Sequence, residues 1–151
     1  MANICIVHGP NLNLLGQREP AIYGVDSLES INQRLRQQAQ ALGHHLYCIQ
    51  SNHEGVLIDE IQAGYQVFDY FIVNLAGFTH TSVALRDALL AVDCPFIEVH
   101  LSQLAAREPF RQHSMISDVA SGVIYGLGAY GYELALLAAH HALQNNDAKE
   151  Q

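Results

Sequence analysis

Apolar and polar positions along the chain fall into two alternating rhythms. Asn3-Ile-Cys-Ile-Val-His8 is an apolar run too short for a helix and reads as a buried strand. From Leu28 onward, Leu28, Ile31, Leu35, Ala39 and Leu42 recur at helical spacing, and Gly43 supplies a stop. Just ahead of them, Asp26-Ser-Leu-Glu29 resembles a capping box with Asp26 as the acceptor. The alternation then repeats. Strand His45–Gln50 is followed by a helix with Leu57, Ile58, Ile61 and Tyr65 on one face, then by strand Asp69–Asn74 and a helix over Ser82–Val92. Pro95 restarts the chain before strand Phe96–His100, and a charged stretch from Leu101 to Ser117 reads as loop or short helix. Gly122–Gly126 is the last strand, and Tyr132–Leu143 a largely apolar final helix.

Strands alternating with helices predict one α/β domain over residues 1–143. The expected architecture is a flavodoxin-like five-stranded parallel sheet, order 2-1-3-4-5, with helices on both faces. Residues 144–151 are expected to form a polar C-terminal tail that frays. In such sheets ligands bind beyond the carboxyl ends of the strands. Those ends are His8–Asn13, Gln50–Glu54, Asn74–His80 and His100–Arg111, where the polar residues concentrate.

One stretch fits neither rhythm. From His8 to Gly24 the chain is broken by Gly9, Pro10, Gly16, Pro20 and Gly24. It carries Asn11, Asn13, Arg18, Glu19 and Tyr23 among Leu12, Leu14, Leu15 and Ile22. A plain surface connection has no need of those apolar anchors, so the stretch predicts a loop that closes over a ligand.

Composition narrows the function. The chain has 151 residues, half of them hydrophobic, enough for one sizeable core. No apolar run reaches membrane-span length and the first residues lack a secretory layout, so no membrane partner and a cytoplasmic location are expected. Cys5, Cys48 and Cys94 are scattered without metal or redox spacing and suit a reducing compartment. A net charge of −8, from seven basic and fifteen acidic residues, argues against nucleic acid as a partner. The one lysine, Lys149, lies in the polar tail, which removes Schiff-base chemistry. Arg18, Arg107 and Arg111 fall in irregular stretches, where recognition of a small anion would place them.

Several motifs bear on the chemistry. Glu98 and His100 lie two apart on a strand and share a face. A carboxylate beside an imidazole fixes its tautomer and makes it more basic, as general acid–base work requires. Adding His80 gives a two-histidine, one-carboxylate set, so a metal-dependent hydrolase is one reading, although Glu98 can orient His100 with no ion. Singly, each histidine is compatible with a satisfied core residue; the three together favour a site. Asn74 to Ser82 ends a strand and opens a helix, whose N–H groups suit an anion or are capped by Thr79, Thr81 or Ser82. Gly126-Leu-Gly-Ala-Tyr-Gly131 matches the dinucleotide pattern, but no further strand follows to supply the ribose-binding acid, and tight turning with close helix packing explains it better. The positions that a phosphorelay receiver needs acidic hold His8 and Asn74, with no lysine after strand five. Gly9-Pro10-Asn11 is not a flavin phosphate loop. The doublets His44-His45 and His140-His141 are adjacent residues that would not face a common ligand and read as incidental.

Six segments then converge on one family. Gly9-Pro-Asn11, Leu15-Gly-Gln-Arg-Glu-Pro20, Tyr23-Gly24, Thr79-His-Thr-Ser-Val-Ala-Leu-Arg-Asp87, Glu98-Val-His-Leu-Ser102 and Arg107-Glu-Pro-Phe-Arg111 closely resemble the type II 3-dehydroquinate dehydratases, in order and spacing. The resemblance covers about residues 3 to 143. It implies a hydro-lyase that reversibly removes water from 3-dehydroquinate through an enolate to give 3-dehydroshikimate. That is a shikimate-pathway step toward chorismate and the aromatic amino acids, made without cofactor or metal. It further implies a flavodoxin-like subunit in a homo-oligomer, a dodecamer built from trimers.

Carried over by position, Tyr23 resembles the base that takes the proton beside the ketone, and Arg18 the cation that activates it. Asn11 would hold the enolate oxygen through water, and His100, backed by Glu98, would protonate the leaving hydroxyl. Asn74, His80, Arg111 and the Leu101 and Ser102 backbone would grip carboxylate and ring hydroxyls, and Asp87 would reach a neighbouring subunit's substrate. Leu75, Gln103 and Ala105 depart from the family pattern. The Tyr23–Arg18 pairing makes physical sense, because a free tyrosine has a pKa of about 10 and needs a cation to serve as a base near neutrality. A non-catalytic binding module for small anionic metabolites would account for Arg111, Asn74 and His80. It would not require Tyr23, Arg18 and the Glu98–His100 pair.

Overall fold

The computed structural model describes residues 1–17, 21 and 26–150, the last three by backbone alone. Among them, strands β1 (Asn3–His8), β2 (His45–Gln50), β3 (Tyr70–Asn74), β4 (Phe96–His100) and β5 (Gly122–Tyr125) form a parallel sheet in the order β2-β1-β3-β4-β5. This is the order that the alternation predicts. Helices α1 (Leu28–Ala41), α2 (Glu54–Ala63), α3 (Val83–Val92) and α4 (Tyr130–Glu150) cover it.

Strand β1 shows why the strands read as continuous apolar runs. Ile4 and Ile6 pack into the core with Ile31 and Leu35 of α1 and Leu136 of α4. Cys5 and Val7 pack on the opposite side with Leu57 and Ile61 of α2 and Leu85 and Leu89 of α3. Successive strand residues point to opposite faces, so a sheet covered on both sides has no solvent-facing positions to fill with polar residues. The register sets His8 beside Gln50 on one side and Asn74 on the other, so the polar strand ends gather at one edge.

Elsewhere the structure differs from the sequence expectations. The first helix is capped by Ser27, whose hydroxyl accepts from the Ser30 N–H at 3.1 Å, and not by Asp26. Asp26 instead takes both guanidinium nitrogens of Arg34 at 3.2 Å, which removes it from the helix end. Tyr65 lies beyond the Gly64 that ends α2 and is 56% exposed, so the buried stripe stops at Ile61. Helix α4 begins at Tyr130 and runs to Glu150, so the polar segment after Leu143 continues the helix instead of fraying from that point. Gln144 to Glu150 contains no glycine or proline to stop it. The stretch after β4, expected as loop or short helix, does fold into short 3₁₀ turns, Leu104–Ala106, Pro109–Gln112 and Ser117–Val119.

The histidine doublets are not incidental. One member of each meets the other: His44 Nε2 lies 2.8 Å from His140 Nδ1. The Ala2 N–H donates to His44 Nδ1 at 3.2 Å, so in the neutral ring Nε2 carries the hydrogen and donates to His140. Burial is the main cause that lowers the His44 pKa. Glycines of the dinucleotide-like motif serve turning and packing, as expected. Gly126 and Gly128 have φ of 91° and 61°, and a Cβ at Gly131 would sit 3.4 Å from Ile124. The cysteines are free, and burial pushes the Cys5 and Cys48 thiols up to about 12 and about 11, which removes them as thiolate nucleophiles. Among the described residues no helix is long and apolar enough to cross a membrane.

Gly9 fixes the exit from β1. Its N–H donates to the Asn74 carbonyl at 2.7 Å, and a Cβ there would lie 2.2 Å from the Leu75 carbonyl oxygen. Backbone cannot move aside as a flexible side chain can. Gly9→Ala is therefore expected to lower the unfolding free energy by roughly 3 kcal/mol. Gly55→Ala in α2, where the new Cβ meets nothing within 4 Å, should be neutral or gain up to about 1 kcal/mol. Urea denaturation of the two variants measures the contrast, and equal stabilities would contradict this packing.

Candidate active site

Parity sorts the polar strand ends by face. His8 follows Ile6, and Asn74 follows Ile72, so both look toward α1 and α4. Glu98 and His100 alternate with Ile97 and Val99 and look the other way.

On that second face, Glu98 has no solvent exposure. A lone carboxylate there would cost several kcal/mol. Its Oε2 takes a hydrogen bond from His100 Nε2 at 2.5 Å, and its Oε1 takes the hydroxyls of Ser117 at 2.5 Å and Ser114 at 3.2 Å. Burial is the largest single influence on this carboxyl and favours the neutral acid. The hydrogen bonds from His100 and Ser117, the His100 charge and the Ser114 hydrogen bond together outweigh it and hold the pKa below its ordinary value. Since Nε2 is committed to Glu98, Nδ1 is the His100 nitrogen left for a ligand. It donates in the imidazolium and accepts in the neutral ring, which is what a proton-transferring group needs.

The serines are held in turn. Ser114 Oγ accepts from the Ile116 and Ser117 N–H groups at 3.1 Å each. Arg86 of α3 donates to the Met115 carbonyl at 2.8 Å and grips both oxygens of Asp118. Sequence reasoning missed Ser114 and Ser117. A buried acid in a strand demands donors, and hydroxyls in the following loop are the available signal.

On the first face, His8 is fully buried. Its Nδ1 lies 2.9 Å from the Tyr132 hydroxyl and its Nε2 2.8 Å from Asn32 Oδ1. Asn74 Nδ2 donates to the same Tyr132 hydroxyl at 2.9 Å. Burial pushes the His8 pKa down to about 4, against a smaller upward effect of Asn32, so this imidazole is neutral near pH 7. Tyr132 and Asn32 were also missed, and a polar residue ending a buried strand was the signal for such partners.

Between these networks lies a cleft. One part is lined by Asn74, His80, His100, Leu101, Ser102 and Arg111, with about 360 Å³ of empty space. The adjoining part, about 530 Å³, is lined by Asn11, Leu14 and Leu15 and shares Leu12, Ala76, Gly77 and Arg111 with the first. The His80 ring stacks on His100 with centroids 6.4 Å apart. His80 Nδ1–H donates to the His113 carbonyl at 2.8 Å, leaving Nε2 as an acceptor, and burial is the main cause lowering its pKa. Ser102 Oγ accepts from Arg107 at 3.2 Å. Arg111 pairs through Nε with Glu108 and lies 5.0 Å over the Phe110 ring. Asn11 has φ 69° and donates its N–H to Asn52 Oδ1 at 2.9 Å, opening the Leu12–Leu14 turn.

The structure thus brings together Asn11, Asn74, His80, His100, Leu101, Ser102 and Arg111, with Glu98 behind His100. Asp87 stands exposed on α3 and does not line the cleft. Arg18 and Tyr23 lie outside the described residues. Among the described residues no group of three His, Cys, Asp or Glu side chains is placed to hold a metal ion, and the Glu98 oxygens are turned to hydroxyls and to His100. The chain of Ser82 caps α3 by accepting from the Leu85 N–H at 2.9 Å. What remains suits proton transfer on a small, oxygen-rich anionic ligand.

The chain is similar to known proteins along nearly its whole length. The profile of a family described as dehydroquinase class II matches residues 2–140. A 3-dehydroquinate dehydratase of Stutzerimonas stutzeri is 62% identical over 140 residues, covering 92% of this chain and 95% of that protein. The 3-dehydroquinate dehydratase 1 of Pseudomonas aeruginosa is 61% identical over 145 residues, covering 95% and 99%. The crystal structure of a type II dehydroquinase from Propionibacterium acnes superposes with a TM-score of 0.90 at 38% identity, covering 93% of this chain and 97% of the other.

The buried His8 has a consequence for acid stability. The unfolded chain takes up a proton near the ordinary histidine pKa of 6.5, whereas the folded chain does so only near 4. The stability contributed by the neutral ring is therefore complete above about pH 6.5 and lost as pH falls toward about 4. The loss should be on the order of 3 kcal/mol. In His8→Asn, which cannot titrate, that part of the acid loss should vanish. Unfolding free energies at stepped pH measure it, and identical pH slopes for both proteins would contradict the assignment.

Proposed function

The chain belongs to the class II dehydroquinase family, and from that premise we propose which of its residues carry the reaction. The activity is the dehydration of 3-dehydroquinate, a hydro-lyase step of the shikimate pathway toward aromatic amino acids. Two proton transfers are needed: one from the carbon beside the ketone, one to the hydroxyl that leaves. His100 Nδ1–H, with Nε2 held by Glu98, protonates the leaving hydroxyl. Tyr23, as phenolate, takes the carbon proton, and Arg18 stabilises that phenolate. Asn11 holds the enolate oxygen through water. Asn74, His80, Arg111 and the Leu101 and Ser102 backbone grip the carboxylate and ring hydroxyls.

The observation that carries this reading is the 2.5 Å contact between His100 and the buried Glu98 at the wall of the cleft. A binding module for anionic metabolites would need Arg111 and Asn74 but no carboxylate-oriented imidazole. A metal-dependent hydrolase would need Glu98 turned toward an ion, and its oxygens are turned to Ser114, Ser117 and His100. The exposed Asp87 fits a role in a neighbouring subunit's site, within a homo-oligomer that is a dodecamer of four trimers. Residues 1–143 are the catalytic domain and the polar segment after them an appendage, in a protein that works in the cytoplasm.

Incubating the purified protein with 3-dehydroquinate tests the activity, because the product 3-dehydroshikimate is a conjugated enone that absorbs in the near ultraviolet. Absorbance should grow equally with and without prior chelator treatment, since side chains alone move both protons. Tyr23→Phe should still bind substrate while losing at least about 10²-fold in kcat. Arg18→Ala should shift the rise of activity toward higher pH, and the double variant should be scarcely slower than Tyr23→Phe alone. Growth lost only after chelation, or a Tyr23→Phe enzyme with wild-type kcat, would contradict the assignment.

A further inference from the structure

His8, Asn32 and Tyr132 line neither part of the cleft, yet their hydrogen bonds end on Asn74, which does. The direction of every hydrogen in that chain is fixed from one end. The Ala76 N–H donates to Asn74 Oδ1 at 3.1 Å, and a backbone amide has only a hydrogen to give. That contact marks which carboxamide atom is the oxygen and leaves the nitrogen on the other side. Nδ2 must be the atom that faces the Tyr132 hydroxyl, and it donates there.

Tyr132 is fully buried, and burial is the main cause that raises its pKa, so its hydroxyl keeps its hydrogen. Among its described partners only His8 Nδ1 can accept that hydrogen. With Nδ1 accepting, Nε2 carries the ring hydrogen and donates to Asn32 Oδ1. The neutral state of His8 is part of the arrangement, because an imidazolium would offer Tyr132 a donor where an acceptor is required. Asn74 Nδ2 has two hydrogens. One is used on Tyr132, and the other is what this side chain offers the cleft.

We propose that His8 and Tyr132 are positioning residues that lock the Asn74 carboxamide with its N–H edge toward the ligand, so the cleft selects an accepting oxygen at that point. The two orientations of a carboxamide have nearly the same shape, so packing alone does not choose between them. A flipped Asn74 would present a carbonyl oxygen to a carboxylate or hydroxyl lone pair, replacing attraction with repulsion. This proposal rests on the reading of Asn74 as a ligand of 3-dehydroquinate.

The test measures kcat and KM for 3-dehydroquinate in Asn74→Ala, Tyr132→Phe, His8→Leu, His8→Asn and the Asn74→Ala, Tyr132→Phe double variant, with thermal unfolding of each. Losing the lock should raise KM about tenfold in Tyr132→Phe and His8→Leu, as loss of one hydrogen bond does. Their kcat should stay within about threefold of wild type, because His100 is untouched. His8→Asn places a carboxamide oxygen near the position of Nδ1 and should recover most of the KM. In the Asn74→Ala background, Tyr132→Phe should add nothing, since it acts only through Asn74. If Tyr132→Phe does not fold, the contrast between His8→Leu and His8→Asn decides. Wild-type KM in Tyr132→Phe and His8→Leu beside a weakened Asn74→Ala would overturn the proposal alone. So would a Tyr132→Phe effect that adds in full to Asn74→Ala. Wild-type KM in Asn74→Ala would overturn the ligand assignment and the proposal with it.

Discussion

A carboxylate without access to water cannot stand alone, and the buried Glu98 is the constraint around which this molecule is arranged. Its demand for donors explains the path of the chain after β4. That chain returns so that Ser114 and Ser117 reach one oxygen, and the other oxygen is left to His100. Arg86 of α3 then ties the returning segment to the body of the protein through Met115 and Asp118. The result is an imidazole whose tautomer and direction are set before any ligand arrives. Preorganisation of this kind is what proton transfer in a site requires of an imidazole.

The contrast with His8 makes the point. Both histidines end buried strands, and neither ring meets water appreciably. His8 has only neutral partners, Tyr132 and Asn32, and is driven to the uncharged form. His100 has a carboxylate at 2.5 Å, which fixes its tautomer and direction. The pleat of the sheet keeps these two environments apart by sending them to opposite faces. One face thus supplies a rigid, neutral scaffold for Asn74, and the other a group that can give and take a proton.

How much of this was legible followed from the range of each interaction. The strands, the sheet order and the shared face of Glu98 and His100 are consequences of local periodicity and stand as read, while two helix ends moved. The helix cap moved by one residue, from Asp26 to Ser27, because Arg34, two turns further along, takes Asp26. Partners far apart in sequence were invisible. His8 and Tyr132 are 124 residues apart, and His44 and His140 are 96. No pattern within one segment announces such a pair; only the need of a buried polar atom for a partner does. Arg18 and Tyr23, which the sequence motifs singled out most directly, lie outside the described residues, so their roles rest on the family and on the chemistry of a phenolate base.

The central claim is that Glu98 makes His100 a general acid rather than a ligand grip. Glu98→Gln tests it most directly. Glutamine keeps the shape of the side chain and removes a buried charge, so folding should survive. It takes away the carboxylate that sets the tautomer and direction of the imidazole. Steady-state kinetics with 3-dehydroquinate should then show kcat lower by about 10²-fold, with KM within about threefold of wild type. A Glu98→Gln enzyme with wild-type kcat, or one whose loss lies wholly in KM, would contradict the account.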